Sequence, residues 1–317
     1  MTSPLAVVFA LAAAVMFGLG NAIEHQVART VPASRGVSVR VLGRLARSPK
    51  WLLGMVNDVG AFGFQAAALA FGGLLLVQPL LVCGLLVALA LGARWSGRRL
   101  QRIEWLSAVA LCVALATFLI EAAPDGGDAH ASFGSWITVA GPVLVLIAVA
   151  IALATRVGGR ARAALLGLSA GAMFGITSAL AKTFVDQIQH GVPYTARHWE
   201  VYALATLSIV GILVIQNGFQ SGSLGTSLPA LEATEPIVAV LIGTVVLHEQ
   251  INGRTMFDNV LIALAVVTMI VAVIALATEV GTRAEATERE IDLRGARPAD
   301  EGRLSAGFEL DYSDGAA

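Results

Sequence analysis

The feature that most constrains this chain is the recurrence of apolar segments of about 20 residues, the length a helix needs to cross a bilayer core of about 30 Å. Nine such segments are read from the sequence, at about 5–28, 51–72, 74–94, 103–121, 135–155, 163–187, 199–219, 224–247 and 258–279. Lipid offers the backbone no hydrogen-bonding partner, so each segment has to satisfy its own N–H and C=O groups as a helix. Composition agrees: 56% of the 317 residues are hydrophobic and 14% charged, against roughly 45–50% and 25% in soluble domains. The fold class expected is an all-α polytopic membrane protein with about nine transmembrane helices. A soluble enzyme, a nucleic-acid binder and a disulfide-stapled secreted domain are set aside. Net charge is only −1, and the two cysteines, Cys83 and Cys112, lie inside apolar runs, where they read as small packing residues.

Charge orients the bundle. The loops at 29–50, 94–102 and 156–162 carry thirteen basic residues, among them Arg29, Arg35, Arg98 and Arg99; the alternate loops carry Arg197 and Arg254 beside Asp125, Asp128 and Glu249. Basic residues favour the cytoplasmic side, which places the N-terminus outside and the C-terminus in the cytoplasm of a plasma-membrane, multi-pass protein. The first segment has no basic residue ahead of it and is too long for a signal peptide, so it reads as an uncleaved helix. Trp51, Trp95, Trp105, Trp136 and Trp199 fall near span ends, as expected of indoles at the headgroup level. From residue 281 to 317 the chain is polar and of mixed charge, the signature of a solvated, disordered tail.

An internal repeat points to the middle of the membrane. Met16-Phe17-Gly18 recurs as Met173-Phe174-Gly175, an offset of 157 that also carries Ala10, Ala14 and Gly18 onto Gly167, Gly171 and Gly175, Pro79 onto Pro236, and Gln78 onto Glu235. The two copies run in opposite directions through the membrane, and inverted repeats with interrupted helices are a transporter architecture whose site lies at the repeat interface. The organisation expected is a first repeat of four helices over 1–123, a linker helix and loops over 124–162, a second repeat of four helices over 163–280, and the tail. Pro79 and Pro236 lack an N–H and leave the carbonyls of Leu75 and Glu232 without their usual donor, so both are expected to break their helices facing the interior.

Ionisable groups inside the spans are costly and are rarely left facing lipid. Glu235 lies about 16 Å into its span, and Asp58 about 10 Å into its own, at 1.5 Å per residue. Glu232 is three residues before Glu235 and shares its helix face. Two repelling carboxyl groups at that spacing suit a proton carrier or a solute ligand. Lys182 is expected to pair with Asp186 one turn on or to snorkel, and Glu24 and His25 are expected at the interface. The Gly167/Gly171/Gly175 ladder reads as close helix packing. The sequence contains no Walker A, H-E-x-x-H or C-x-x-C motif, and its five histidines lack ligand spacing. No enzyme activity, cofactor or resident metal is expected.

Residues 227–251, SLPALEATEPIVAVLIGTVVLHEQI, hold a small-residue hairpin, the dipeptide Glu235-Pro236, an apolar run and Leu247-His248-Glu249; residues 67–82, AALAFGGLLLVQPLLV, have the matching form with Gln78-Pro79. In these motifs the chain resembles EamA-type members of the drug/metabolite transporter superfamily. In its nine spans and outside N-terminus it is similar to the NIPA-like branch, although Ala61, Phe62 and Gln65 replace that branch's G-E-x-x-N signature and Asp58 stands one turn away. The resemblance implies a secondary active transporter that exports a small metabolite or drug by alternating access, coupled to protons. Glu235 is then the central carboxylate, Glu232 its partner, Asp58 faces it across the cavity, and Gln78 is the pseudosymmetric polar group. The alternative within the superfamily is a magnesium or other divalent-cation carrier using Glu235, Glu232 and Asp58 as ligands. An alternative of another class is a non-transporting scaffold acting through the tail. The partners expected are the solute or ion and the lipid bilayer, without nucleic acid; a homodimer stays open. Replacing Cys83 and Cys112 together with Ala is expected to leave expression and detergent thermal stability essentially unchanged, as a melting curve of the purified protein would show.

Overall fold

The structure is a computed structural model that describes residues 3–28, 30–31, 37–95, 102–122, 131–221, 224–249, 255–272 and 275. The readings that rest on Arg29, Arg35, Arg98, Arg99, Asp125, Asp128, Arg254 and the 281–317 tail lie outside the described residues. Every regular element among the described residues is helical: α1 (Pro4–Ala28), α2 (Val39–Leu45), α3 (Pro49–Phe71), α4 (Leu74–Leu81), α5 (Cys83–Trp95), α6 (Arg102–Ala122), α7 (Phe133–Ala154), α8 (Gly159–Gln189), α9 (Val192–Thr195), α10 (Trp199–Ser221), α11 (Leu224–Val245) and α12 (Met256–Ala272).

Seven helical stretches among these are long and apolar enough to cross a membrane: α1, α3, Leu74–Gly92 through α4 and α5, α7, α8, α10 and Thr226–Val245 in α11. Trp105–Phe118 within α6 and α12 are shorter apolar helices. Charged Arg102 and Glu104 open α6, which shortens its apolar part. Surface and interior are inverted relative to a soluble protein. Val8, Val56, Val59, Leu106, Ile120 and Leu146 are each more than half exposed, while Glu24, Gln65, Lys182, Gln216 and Glu249 are buried. Apolar exposure on that scale would aggregate in water and is comfortable in hydrocarbon. The chain is an all-α polytopic membrane protein.

Glycines set how closely the helices approach. On α8, a Cβ at Gly167 would lie 2.3 Å from the Ser227 carbonyl oxygen, one at Gly171 2.4 Å from that of Leu231, and one at Gly175 2.7 Å from that of Glu235. The ladder is therefore a backbone-to-backbone seam between α8 and α11, the use small residues have between membrane helices. Gly18 on α1 approaches the Gly84 carbonyl of α5 in the same way, with 2.3 Å available to a Cβ.

The two prolines behave differently from each other. The span containing Pro79 is interrupted at Val82, where α4 ends and α5 begins. Helix α11, by contrast, runs on through Pro236. A proline removes one hydrogen bond and adds a local clash; the seam with α8, which reaches from Ser227 to Glu235, braces α11 on the turns before it. Tryptophan also departs in part. Trp51 and Trp136 are buried inside the protein, and Trp136 meets Trp199 edge-on at 5.9 Å, so these indoles fill helix contacts instead of headgroup space. The basic 29–50 connection contains α2, whose N-cap residue Ser38 donates its backbone N–H to Asn217 Oδ1 of α10 at 3.0 Å. Val41 and Leu45 are buried below it.

Gly171→Val is expected to force α8 from α11 and cost about 1–3 kcal/mol, the usual range for overpacking. A lowered thermal midpoint in detergent, against an unchanged one for a control substitution at lipid-facing Val56, would register it.

Candidate functional site

Glu235 stands half-buried on α11, and its Oε1 accepts a long hydrogen bond, 3.4 Å, from Ser178 Oγ of α8. Ser178 in turn accepts from Gln65 Nε2 of α3 at 3.0 Å, and both of these side chains are buried. A serine hydroxyl can donate and accept at once, so it relays α3 to α11 through α8. The seam described above positions the carboxylate: Gly175, one turn before Ser178, lets the Glu235 backbone settle against α8. Glu232, one turn earlier on α11, is half-buried and within electrostatic reach of Glu235 and of Cys83 on α5. Gln78 is buried on α4, and its Nε2 has no acceptor among the described residues. A pair of carboxyl groups with a hydroxyl neighbour can hold a proton, an ammonium group or a metal cation.

Asp58 belongs to a different group. It adjoins Glu24 of α1, and its neighbour Asn57 donates Nδ2 to the Met16 carbonyl oxygen. Glu24 is only 3% exposed, and its Oε2 accepts from Gln216 Nε2 of α10, a side chain with no exposure at all. The expectation that Glu24 and His25 sit at the interface is thus corrected. Both are buried, and the His25 ring meets Phe219 of α10 edge-on at 5.7 Å. Their position near a helix end suggested the interface, but α10 covers that end. Asp58 therefore has Glu24, and not Glu235, as its neighbouring carboxyl. Among the described residues no three or more His, Cys, Asp or Glu side chains come together to hold a metal ion, so Glu235, Glu232 and Asp58 form no such cluster.

A third group forms around Lys182, with a partner other than the one expected. Lys182 forms its ion pair with Glu249, and both side chains are buried. Asp186 is not the partner, and Lys182 does not snorkel. Beyond the end of α11 the chain turns at His248, whose φ of 53° is left-handed, and Glu249 N–H returns to the Gly243 carbonyl at 2.9 Å. The turn aims the Glu249 carboxylate at the start of α4, where it accepts from the Leu74 and Leu75 N–H groups at 2.7 Å each. Gly73 makes room, since a Cβ there would sit 3.2 Å from Glu249 Oε2. Free N–H groups and the positive end of the helix dipole favour an anion at that place. The L-x-E motif carried the signal for Glu249. Nothing in the sequence pairs it with Lys182, 67 positions away.

Residues 167–171, Gly-Leu-Ser-Ala-Gly, have the G-x-S-x-G spacing of hydrolase nucleophiles. They lie inside continuous α8, and Ser169 Oγ donates to the Leu165 carbonyl at 2.7 Å. A nucleophile elbow needs an exposed serine on a strand-to-helix turn, which this is not.

The chain is 36% identical over 278 residues to an uncharacterized protein of Corynebacterium glutamicum, an alignment spanning 86% of this chain and 94% of that one. No family model matches the sequence, and no solved structure does.

Removing one partner of a buried ion pair costs about 3–5 kcal/mol. Glu249→Ala also orphans the two capped N–H groups, so it is expected to destabilise more than Lys182→Ala. The two substitutions together are expected to cost less than their sum, a non-additivity that thermal or denaturant unfolding of the four proteins would measure.

Proposed function

This chain belongs to the family of the uncharacterized Corynebacterium glutamicum protein, and we propose that it is a secondary active transporter of a small solute, working by alternating access and coupled to protons. The observation that carries this reading is the Gln65–Ser178–Glu235 row, a half-buried carboxylate on a membrane helix joined through one hydroxyl to a third helix. A carboxyl group inside a membrane span is costly, and its use in this reading is to bind something that crosses. In the proposal, Glu235 and Glu232 take the solute or a proton, Gln78 offers an unused N–H, and the resemblance to EamA-type carriers of the drug/metabolite transporter superfamily supplies the mechanism.

The proposed topology has nine spans, the seven long apolar helices with α6 and α12 added, and runs from an outside N-terminus to a cytoplasmic C-terminus in the plasma membrane. Its first repeat covers 1–123, its linker 124–162 and its second repeat 163–280. In support, α1 packs on α3, α4 and α5 much as α8 packs on α10 and α11, and α7, the linker helix, exposes Leu144, Val145, Leu146, Val149 and Leu153. The inverted repeat would put Gln65, Ser178 and Glu235 where the two halves meet.

A magnesium carrier is the second reading, favoured by the two carboxyl groups one turn apart; Mg²⁺ keeps several waters and is held by only one or two carboxylates. The test is Mg²⁺ entry into proteoliposomes, followed by a screen of metabolites and drugs under a pH gradient. Glu235→Gln is expected to abolish whatever transport the wild type shows while the protein stays folded, and normal transport by that variant would remove Glu235 from the mechanism. Deleting residues 281–317 is expected to leave transport intact, which a tail-dependent scaffold would not survive.

A further inference from the structure

Near the C-terminal end of α1 and the start of α3, the two helices exchange acids across matching glycines. Gly20 and Glu24 lie one turn apart on α1, and Gly54 and Asp58 one turn apart on α3. The helices run antiparallel, so Asp58 lies over Gly20 and Glu24 over Gly54. A Cβ at Gly20 would fall 1.9 Å from Asp58 Oδ1, and one at Gly54 2.8 Å from Glu24 Cγ. With side chains at both glycines the two carboxyl groups could not lie side by side. The arrangement is made for their meeting.

The hydrogen-bond accounting around the pair does not close. Gln216 Nε2 donates to Glu24 Oε2, and Asn57 Nδ2 donates to the Met16 carbonyl. Glu24 Oε1, Asp58 Oδ1 and Gln216 Oε1 are left buried with no donor among the described residues. Buried acceptors in a folded interior are nearly always satisfied, and three of them in one place call for a hydrogen that no described donor supplies. The glycine notches bring the two carboxyl groups together between α1 and α3, and two carboxyl groups can hydrogen-bond to each other only when one of them carries the hydrogen. The titratable group of α1 beside the pair is His25, turned to Phe219 of α10; α3 adds Asn57 and α10 adds Gln216, both uncharged. Lys182, the buried lysine, is committed to Glu249.

We propose that Glu24 and Asp58 form a proton-binding site separate from Glu235, and that it is the coupling site of the carrier. The second clause rests on the transport reading above; the first does not. A proton shared between the two carboxyl groups replaces the repulsion of bare charges by a hydrogen bond. Glu24 lies four residues, about 6 Å, from the end of α1, beneath the cover of α10, so exchange with water passes by way of that helix end. The Gln216 bond carries the consequence onward. A carboxylate accepts from an amide more strongly than a carboxylic acid does, so the proton count sets how firmly α1 holds α10, and α10 packs on α8, which bears Ser178.

The test counts protons and needs no solute. Purified full-length protein in detergent is taken from alkaline to mildly acidic pH with an indicator dye, and proton uptake per chain is compared among wild type, Glu24→Gln/Asp58→Asn and Glu235→Gln. Gel filtration and a melting curve confirm folding. The double variant is expected to take up about one proton fewer than wild type, the macroscopic count of a coupled pair, on top of and independent of any loss in Glu235→Gln. Equal uptake overturns the site. Should the double variant not fold, Asp58→Asn and Gly20→Ala, which respectively removes or displaces one acid, are expected to alter the uptake curve, and wild-type curves for both overturn it. Replacing K⁺ by Na⁺ is expected to change nothing; proton release on Na⁺ addition, absent from the double variant, would make this a sodium site and overturn the proton assignment. A chain with the proton deficit that transports nothing upholds the site and sinks the carrier reading, and transport whose pH-gradient dependence survives in the double variant does the reverse for coupling.

Discussion

The structure hangs on one carboxylate. Glu249 leaves the end of α11, reaches the first two free N–H groups of α4 and takes the charge of Lys182 on α8. Each of the three parties would be costly alone: a buried ammonium, a buried carboxylate and the open start of a helix inside a membrane. Together they cancel. The short α3–α4 turn at Gly72-Gly73 can sit in the interior because this cap replaces the solvent that its N–H groups would otherwise need. It also joins the early part of the chain to the late part at a single point.

Around that point the bundle is built on close backbone approach. Apolar side chains supply no driving force for helix association in hydrocarbon, so packing has to come from small residues and interhelical hydrogen bonds. Gly167, Gly171 and Gly175 serve the first purpose along α8 and α11, and Gly18 and Gly84 along α1 and α5. Gln65, Ser178, Gln216 and Asn217 serve the second. The two acidic groups occupy separate places in this framework. Glu235 sits where three long helices meet, and Glu24 with Asp58 sits in a pair of glycine notches near the end of α1.

How far the sequence could be read follows from the range of each interaction. The membrane class, the helical content and the polar character of the interior are properties of single segments, and they stand in the sequence as runs of apolar residues with a few ionisable exceptions. The glycine ladder was legible because its spacing is the turn of one helix. Glu235 drew attention because a glutamate in an apolar run is conspicuous. Glu24 did not, and Glu249 stood out only as part of a motif: each stands near the end of an apolar run, where an acid ordinarily meets water. Only a neighbouring helix, α10 over Glu24 and α4 over Glu249, makes them interior groups. Lys182 was matched with Asp186 by helical proximity, although its partner lies 67 residues on.

The sequence by itself determined that this chain spans a membrane as helices, since bilayer thickness and backbone hydrogen bonding act on each segment separately, and that some of those helices carry acids that lipid would reject. It also set which helix faces could approach closely. The tertiary structure alone decided which acid meets which partner: Glu249 with Lys182 and the α4 N-terminus, Asp58 with Glu24, Glu235 with Ser178. It decided as well that Pro236 stays within a continuous helix while the span of Pro79 breaks at Val82. These outcomes depend on contacts between residues distant in the chain, and a local pattern cannot encode which of several buried charges will find one another.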